Sequence, residues 1–288
     1  MQPEEESELL LQPDFTKFFM VKVESMFQRM KLPIPPTKAV AHSLLYLTEG
    51  EATMTIGSET YTIQAGECLI VAAGQIFSFS NPDVNKGYLC HFPDDFIVGR
   101  FSRKDLLKDF EFLRVWGNPR IQLDSKVSDY VHFLCKRIFT EYIGHGLNRV
   151  DILQPYFIAL LCELNRSYQP VFSSIHTAAL SLTHEFRELL FEHLKTMQLV
   201  TDYASLLNIS PNHLNKAVKL ITGKSPSRWI DEAIVLEAKA LLSQSDLSVN
   251  EVAAEVGLLD ASYFSRLFKR YAGMAPGQFR KMIEKSSN

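Results

Sequence analysis

Apolar and polar residues alternate in short runs from about residue 20 to residue 93. Met54–Ile56 leads through Gly57 and Ser58 into Tyr61–Ile63, and alternation around a two-residue turn predicts a β-hairpin. Gly50 predicts a further turn just before this hairpin. Many short strands at this spacing favour a β-sandwich or a small barrel.

Helical spacing replaces this alternation in the middle of the chain. Apolar residues recur every three or four positions from Val127 to Tyr142 and from Ile152 to Leu164, with a break at Gly144–Gly146. The pattern predicts a helical hairpin. It is compatible with packing on the strands of the same chain and with a symmetric dimer interface, in which Leu134 and Leu160 would be central positions. Residues 169–176, with a proline and few charges, are the predicted linker.

The last part of the chain contains one helical pattern twice, at an offset of 49 to 50 positions between residues 204 and 279. Each copy predicts a helix, a tight turn and a second helix. Asn208 and Gly257 fall in the turns, where a left-handed backbone is needed, and Gly223 and Gly273 fall where the second helices end. The pattern therefore predicts two helix-turn-helix motifs.

The second helix of such a motif enters the major groove of DNA, and its outward side chains contact bases and phosphates. In the second copy the apolar pattern assigns Tyr263, Phe264, Leu267 and Phe268 to the buried face. Asn suits adenine edges, whereas Arg and Lys suit guanine edges or phosphates. The predicted DNA-binding residues are Asn212, Asn215, Lys216, Lys219, Lys224, Ser262, Ser265, Arg266, Lys269 and Arg270.

Charge supports this interpretation locally. The chain as a whole has a formal net charge of −3, unlike a simple basic nucleic-acid binder. Residues 203–230 and 261–283, however, carry four and five Lys or Arg residues and no Asp or Glu. Phosphate contact explains two basic windows on two copies of one motif better than an ordinary solvated helix surface does.

These residues resemble the AraC/XylS family of bacterial transcription regulators. The resemblance rests on Ile209–Leu214, Thr222–Pro226 and Ser248–Phe279. It implies a sequence-specific DNA-binding regulator in which a rigid helix, Pro226–Leu242, joins the two motifs so that both recognition helices meet successive major-groove segments. Because Ser262 and Ser265 are small, the second motif is expected to contact mainly the DNA backbone.

Residues 50–79 are similar, by pattern, to the cupin barrel that precedes the DNA-binding half in these regulators. The implied fold class is α+β, with a cupin-like β-barrel and helical hairpin in residues 1–168 for effector binding and dimerisation, and an all-α DNA-binding domain in residues 177–288. Aromatic rings with polar anchors suit a small-molecule pocket, although each could instead belong to the core. The candidate effector-binding residues are His42, Tyr46, Phe77, Phe79, Tyr88 and His91.

Catalysis and metal binding are not expected. Metal-binding cupin enzymes carry a His-x-His pair, which this chain lacks, and its four cysteines are far apart. The start of the chain has no basic segment before an apolar run, so a cytoplasmic protein is expected, with no cofactor and no membrane contact. Expected partners are double-stranded DNA, a small-molecule effector and a second copy of the chain, and RNA polymerase is a further candidate.

Two other interpretations remain open from the sequence. One is a cupin-type enzyme with an appended DNA-binding module, which a metal assay on purified protein would distinguish. The other is a regulator whose barrel binds no ligand and responds only through another protein.

Overall fold

The computed structural model describes residues 14–27, 33–79, 84–98, 106–115, 117–169 and 178–287. These residues form two compact units. The first contains the described residues up to 169, except Pro33–Lys38 and Ile76–Ser78, which join residues 178–287 in the second. Apart from Gln169, the predicted linker at 169–176 lies outside the described residues, so the limits 1–168 and 177–288 stay a prediction.

The fold combines helices with an antiparallel sheet, as the α+β prediction requires. The strands are β1 (Phe19–Lys22), β2 (Ile34–Lys38), β3 (His42–Ile56), β4 (Glu59–Gln64), β5 (Glu67–Val71), β6 (Ile76–Phe79), β7 (Asn85–Phe92) and β8 (Arg120–Gln122). The main path of the sheet is β1-β7-β3-β5-β8, with β4 paired to β3 and β2 paired to β6. Among the described residues this path does not return to its first strand, so a closed cupin-like barrel stays a prediction.

The predicted hairpin is confirmed, since β4 pairs antiparallel with the end of β3 across Gly57 and Ser58. The predicted turn at Gly50 is wrong, because β3 continues through it as one strand of 15 residues. Gly50 has a φ of 78° and lies next to an irregularity in the pairing of β3 with β7. A Cβ atom there would meet the backbone of Val84 and Asn85, so the position requires glycine within a bulged strand.

Both faces of the central strands are buried. The register places His42 opposite Phe92 and Tyr46 opposite Tyr88, and the core of the first unit includes the last three of these residues together with its long helices. On the other face Leu45 and Leu47 are also buried. Burial on two faces explains why Leu44–Leu47 is a continuous apolar run instead of an alternating one.

The predicted helical hairpin is confirmed as two long helices. The first unit contains α1 (Val23–Phe27), α2 (Asp94–Ile97), α3 (Ser125–His145) and α4 (Val150–Ser167), with 3₁₀ turns at Leu106–Asp109, Glu111–Leu113 and Gly146–Arg149. The Asp124 carboxylate caps α3 by accepting a hydrogen bond from the Val127 N–H at 2.9 Å. Leu134 and Leu160 are 9% and 0% exposed in the core of this unit, so the hairpin packs on the sheet of its own chain.

The second unit contains the two predicted motifs. Its helices are α5 (Ala178–His193), α6 (Val200–Leu206), α7 (Pro211–Thr222), α8 (Pro226–Gln244), α9 (Val249–Glu255), α10 (Ala261–Ala272) and α11 (Pro276–Ser287). The helix pairs α6–α7 and α9–α10 are the two motifs, and α8 joins them. A shared core contains Leu214 and Val218 of α7, Ile234 of α8, and Phe264 and Phe268 of α10.

The turns and caps of both motifs match the sequence prediction. Asn208 and Gly257 have φ values of 54° and 84°, and Gly223 and Gly273 end α7 and α10 at 72° and 77°. Ser210 caps α7 through the His213 N–H at 3.2 Å. The second turn is one residue longer than the first, and its Leu259 is 95% exposed.

Replacing Gly257 by alanine should cost much more stability than replacing Gly223. Both residues need a left-handed backbone, which costs an L-residue about 1 to 2 kcal/mol. A Cβ atom on Gly257 would also collide with the Lys195 backbone, whereas nothing lies within 4 Å of one on Gly223. Overpacking adds about 1 to 3 kcal/mol.

Urea unfolding of the full chain, followed by circular dichroism, measures both variants. Gly223→Ala serves as the control for left-handed strain alone. Equal losses for the two variants would show that the Lys195 backbone does not constrain this turn.

Candidate nucleic-acid interface

The second helix of each motif is strongly amphipathic. Leu214, Ala217 and Val218 of α7 are buried, as are Phe264, Leu267 and Phe268 of α10. Each helix is therefore held by one apolar face, and its opposite face is left in solvent.

The predicted contact residues lie on these solvent faces in the same arrangement. Asn212, Asn215, Lys216 and Lys219 are exposed on α7 at spacings of three, one and three residues, which forms one stripe along a helix. The stripe recurs 50 positions later on α10 as Ser262, Ser265, Arg266 and Lys269, of which Ser265 is half-buried and the others are exposed. The fold thus brings the predicted residues together as two equivalent stripes.

The cations on these stripes are available for an external anion. In the described part of the chain, Lys216, Lys219, Arg266 and Lys269 of the stripes, and Arg270 beside Lys269, are in no salt bridge. Arg266 and Arg270 interact with the Asp260 and Asp231 carboxylates only at longer range. An ammonium or guanidinium without a carboxylate partner keeps its charge for phosphate.

Lys224 differs from these cations. Its Nζ lies 2.8 Å from the Glu232 carboxylate and 5.4 Å from the centre of the Trp229 ring. The same carboxylate accepts a hydrogen bond from Arg228 Nε at 2.8 Å. The charge of Lys224 is therefore already partly compensated within the second unit.

The apolar pattern predicts Tyr263 on the buried face, and this prediction is wrong, since Tyr263 is 45% exposed in the first turn of α10. It corresponds to His213, which is also exposed on α7. The polar character of His213 was the sequence signal for this position. The Asp260 carboxylate caps the same turn, and hydrogen bonds from the N–H groups of Tyr263 and Ser262 lower the pKa of Asp260.

Among the candidate effector residues, the fold brings Tyr46 and Tyr88 together. They are directly opposite on β3 and β7 and face α3, where the Tyr46 hydroxyl lies 3.1 Å from Ser128 Oγ and the Tyr88 ring lies 6.3 Å from that of His132. Burial raises the pKa of both tyrosines, so both hydroxyls stay protonated at neutral pH.

The other four candidates lie elsewhere. His42 shares the face of Tyr46 at the far end of β3, where its Nε2 is 2.7 Å from Asp94 Oδ1 and its Nδ1 accepts from the Ala73 N–H at 3.1 Å. The hydrogen bond from His42 lowers the pKa of Asp94.

His91 is on the opposite face of the sheet. Its Nε2 donates to the Phe15 carbonyl at 2.8 Å, and burial lowers its pKa. Phe77 and Phe79 are half-buried on β6. The register therefore separates His91 from Tyr46 and Tyr88, and an effector site formed by the six residues stays a prediction.

Neither a metal cluster nor a membrane span is found in the described ranges. No three His, Cys, Asp or Glu side chains in these ranges are grouped so that they could hold a metal ion. None of the described helices combines the length and the apolar character needed to cross a bilayer.

Comparison with known proteins finds similar transcription regulators. Residues 203–282 match the family described as "Helix-turn-helix domain". The chain is 22% identical over 276 residues to the uncharacterized HTH-type transcriptional regulator YisR of Bacillus subtilis, covering 93% of this chain and 94% of that protein. It is 22% identical over 262 residues to the arabinose operon regulatory protein of Salmonella typhimurium, covering 84% of each. The predicted resemblance to AraC/XylS-family regulators is confirmed by these matches.

The chain is therefore a DNA-binding transcription regulator, and the prediction from the two motifs is confirmed. Among solved structures, ToxT of Vibrio cholerae is similar, with 14% identity, coverage of 93% of this chain and 99% of that chain, and a TM-score of 0.48.

Proposed function

We propose that this regulator reads its operator with unequal contributions from its two motifs. The observation that carries the proposal is the pair of matching stripes on α7 and α10, which differ in chemistry at the same positions. The first offers Asn212, Asn215 and Lys216 to base edges, whereas the second offers Arg266 between two serines. Arg266 and Lys216 are the proposed base contacts, and Lys219 and Lys269 the proposed phosphate contacts.

Lys216→Ala and Arg266→Ala should weaken binding to the operator and leave binding to scrambled DNA almost unchanged. Loss of a base contact costs about 1 to 3 kcal/mol and relaxes preference at one or two base pairs. Lys219→Ala and Lys269→Ala should weaken binding to both DNAs by the same factor, because each removes a phosphate contact. Each should also reduce the slope of log affinity against log salt concentration by about one.

Affinity measured against salt on both DNAs tests this division, after genome-wide binding has supplied the operator. Lys224→Ala is the matched control, since its ammonium is already paired with Glu232 and should matter less than Lys219. If Arg266→Ala lowers the affinity for both DNAs by the same factor, Arg266 contacts only phosphate, and the specificity comes from the first motif or from DNA shape.

The regulator is proposed to act as a homodimer through α3. Leu134 and Leu160 belong to the core of the first unit, whereas Tyr130 and Phe133 are 45% and 61% exposed on α3. Large exposed apolar side chains on one helix suit an interface between copies. Pairing two DNA-binding units also raises avidity for a two-part operator without new contacts.

Phe133→Glu should lower the molecular mass measured by light scattering at micromolar concentration, because a charge would be buried at the interface. Val84→Glu places the same charge at a position that is 94% exposed in the first unit, and it should leave the mass unchanged. A monomeric wild-type protein, with and without DNA, would contradict the proposal.

The first unit is proposed to bind a small organic effector that changes operator affinity, with recruitment or exclusion of RNA polymerase as the output. The similar proteins are described as regulators and none of those compared above as an enzyme, which favours regulation over catalysis. Action on DNA also favours a cytoplasmic location.

Screening by thermal shift should reveal an effector as stabilisation of about 2.7 kcal/mol at one hundred times its dissociation constant. Each hit is then tested for a change in operator affinity. The proposal fails if no compound from broad sugar, acid, amine and aromatic collections changes either quantity.

A further inference from the structure

A cavity of about 470 Å³ opens on the surface of the first unit, and none of the candidate effector residues lines it. It lies between the segment before β1 (Thr16–Phe18), helix α2, and the start of α4 with the turn before it. Its size falls within the range of sites for small organic ligands, about 300 to 1,000 Å³.

The walls of this cavity are apolar and aromatic. Phe18 and Phe96 stack with their ring centres 4.1 Å apart, and both are almost fully buried. Leu147 and Val150 complete the apolar lining, and each is 37% exposed. When a ligand displaces water from apolar surface of this kind, the free energy of the complex falls, which favours binding.

Gln154 gives the cavity a polar anchor. Its side chain is part of the lining although only 3% of the residue is exposed, and its Nε2 donates to the Phe96 carbonyl at 2.7 Å. This bond fixes the amide orientation, so Oε1 is the group left to accept.

Oε1 of Gln154 accepts no hydrogen bond from any described residue. In the described structure, Asn85 Oδ1 is the one side-chain oxygen that is both buried from solvent and without a hydrogen-bond partner. Gln154 Oε1 does not meet both conditions. Oε1 therefore keeps access to solvent, and Gln154 is one of the residues that line the cavity. A ligand must donate a hydrogen bond to satisfy it.

The charged groups at the rim also favour a donor. Lys17 Nζ lies 3.1 Å from Asp14 Oδ2, and Arg149 Nε lies 3.4 Å from Asp151 Oδ1. Asp95 lines the cavity and has no partner among the described residues. Of the charged residues that line the cavity, Lys17 and Asp151 are thus already paired, which leaves Asp95 as the unpaired charge. Asp151 in the first turn of α4 also offsets the partial positive charge of that helix end.

We propose that this cavity binds a small amine with an apolar body, placing the ammonium toward Gln154 Oε1 and Asp95 and the body on Phe18, Phe96, Leu147 and Val150. The inference rests on the proposal that the first unit binds an effector, and it adds the location and the ligand chemistry.

Binding of 3-phenylpropylamine, 3-phenylpropan-1-ol and 3-phenylpropanoate to the full chain tests it by isothermal titration or saturation-transfer NMR. The three probes share a ring and linker and differ in the head group. The amine should bind at least ten times more tightly than the carboxylate, with the alcohol between them. Equal or tighter binding of the carboxylate would overturn the proposal.

Two variants locate the site. Val150→Trp fills the cavity from a partly exposed position and should abolish binding of the amine, whereas the matched Val84→Trp, at a 94% exposed position outside the cavity, should not. Asp95→Asn should weaken binding of the amine at least fivefold and binding of the alcohol less than twofold. Undiminished binding of the amine to Val150→Trp would place it elsewhere and overturn the proposal.

Operator affinity, measured with and without the amine, separates this inference from the effector proposal. If Val150→Trp abolishes binding of the amine but the amine does not change the operator affinity of the wild type, the cavity is a ligand site. The effector proposal then fails for this cavity. If instead an effector found by screening acts equally on wild type and Val150→Trp while the amine does not bind, the inference fails and the effector proposal stands.

Discussion

The burial of α8 in the core shared by both motifs is the constraint on which DNA recognition depends. Ile230, Ile234, Val235, Ala238 and Leu242 are buried along this helix, in one cluster with the apolar faces of α7 and α10. Its 19 residues give a length of about 28 Å. Successive major-groove segments on one DNA face are about 34 Å apart, so a rigid helix of this length suits two recognition helices on one operator. A change in the packing of α8 would alter the spacing of both stripes together.

Electrostatics then decide which cations on the second unit can reach DNA. Glu232 binds both Lys224 and Arg228, so part of the basic surface is already neutralised by the protein itself. Lys216, Lys219, Arg266 and Lys269 have no such partner in the described structure and keep their full charge. A net charge of −3 is therefore no obstacle to DNA binding, because phosphate responds to the nearby unpaired cations and the distant acids are screened within about 10 Å.

The first unit uses its buried aromatic residues in two ways. Tyr46 and Tyr88 pack beneath α3, with the Tyr46 hydroxyl bound to Ser128, and they join the sheet to the helical hairpin. Phe18 and Phe96 instead line a cavity at the surface, where Gln154 offers a free acceptor. All four rings belong to the core of the first unit, and Phe18 and Phe96 also border a cavity that a ligand could enter.

The sequence alone determined the two helix-turn-helix motifs, their caps and the left-handed residues Asn208 and Gly257. These features depend on interactions within a few residues, which a local pattern contains. It also predicted short strands and the hairpin between residues 20 and 93, but neither the continuation of β3 through Gly50 nor β8 beyond that region. Only the tertiary structure decided that His91 faces away from Tyr46, that Lys224 is paired with Glu232, and that Phe133 is exposed while Leu134 is buried. Strand register and the covering of a helix face depend on residues far away in the sequence. The Lys224–Glu232 pair, although only eight residues apart, depends on how the turn before α8 places Lys224 against that helix. The spacing of residues along the chain specifies none of these contacts.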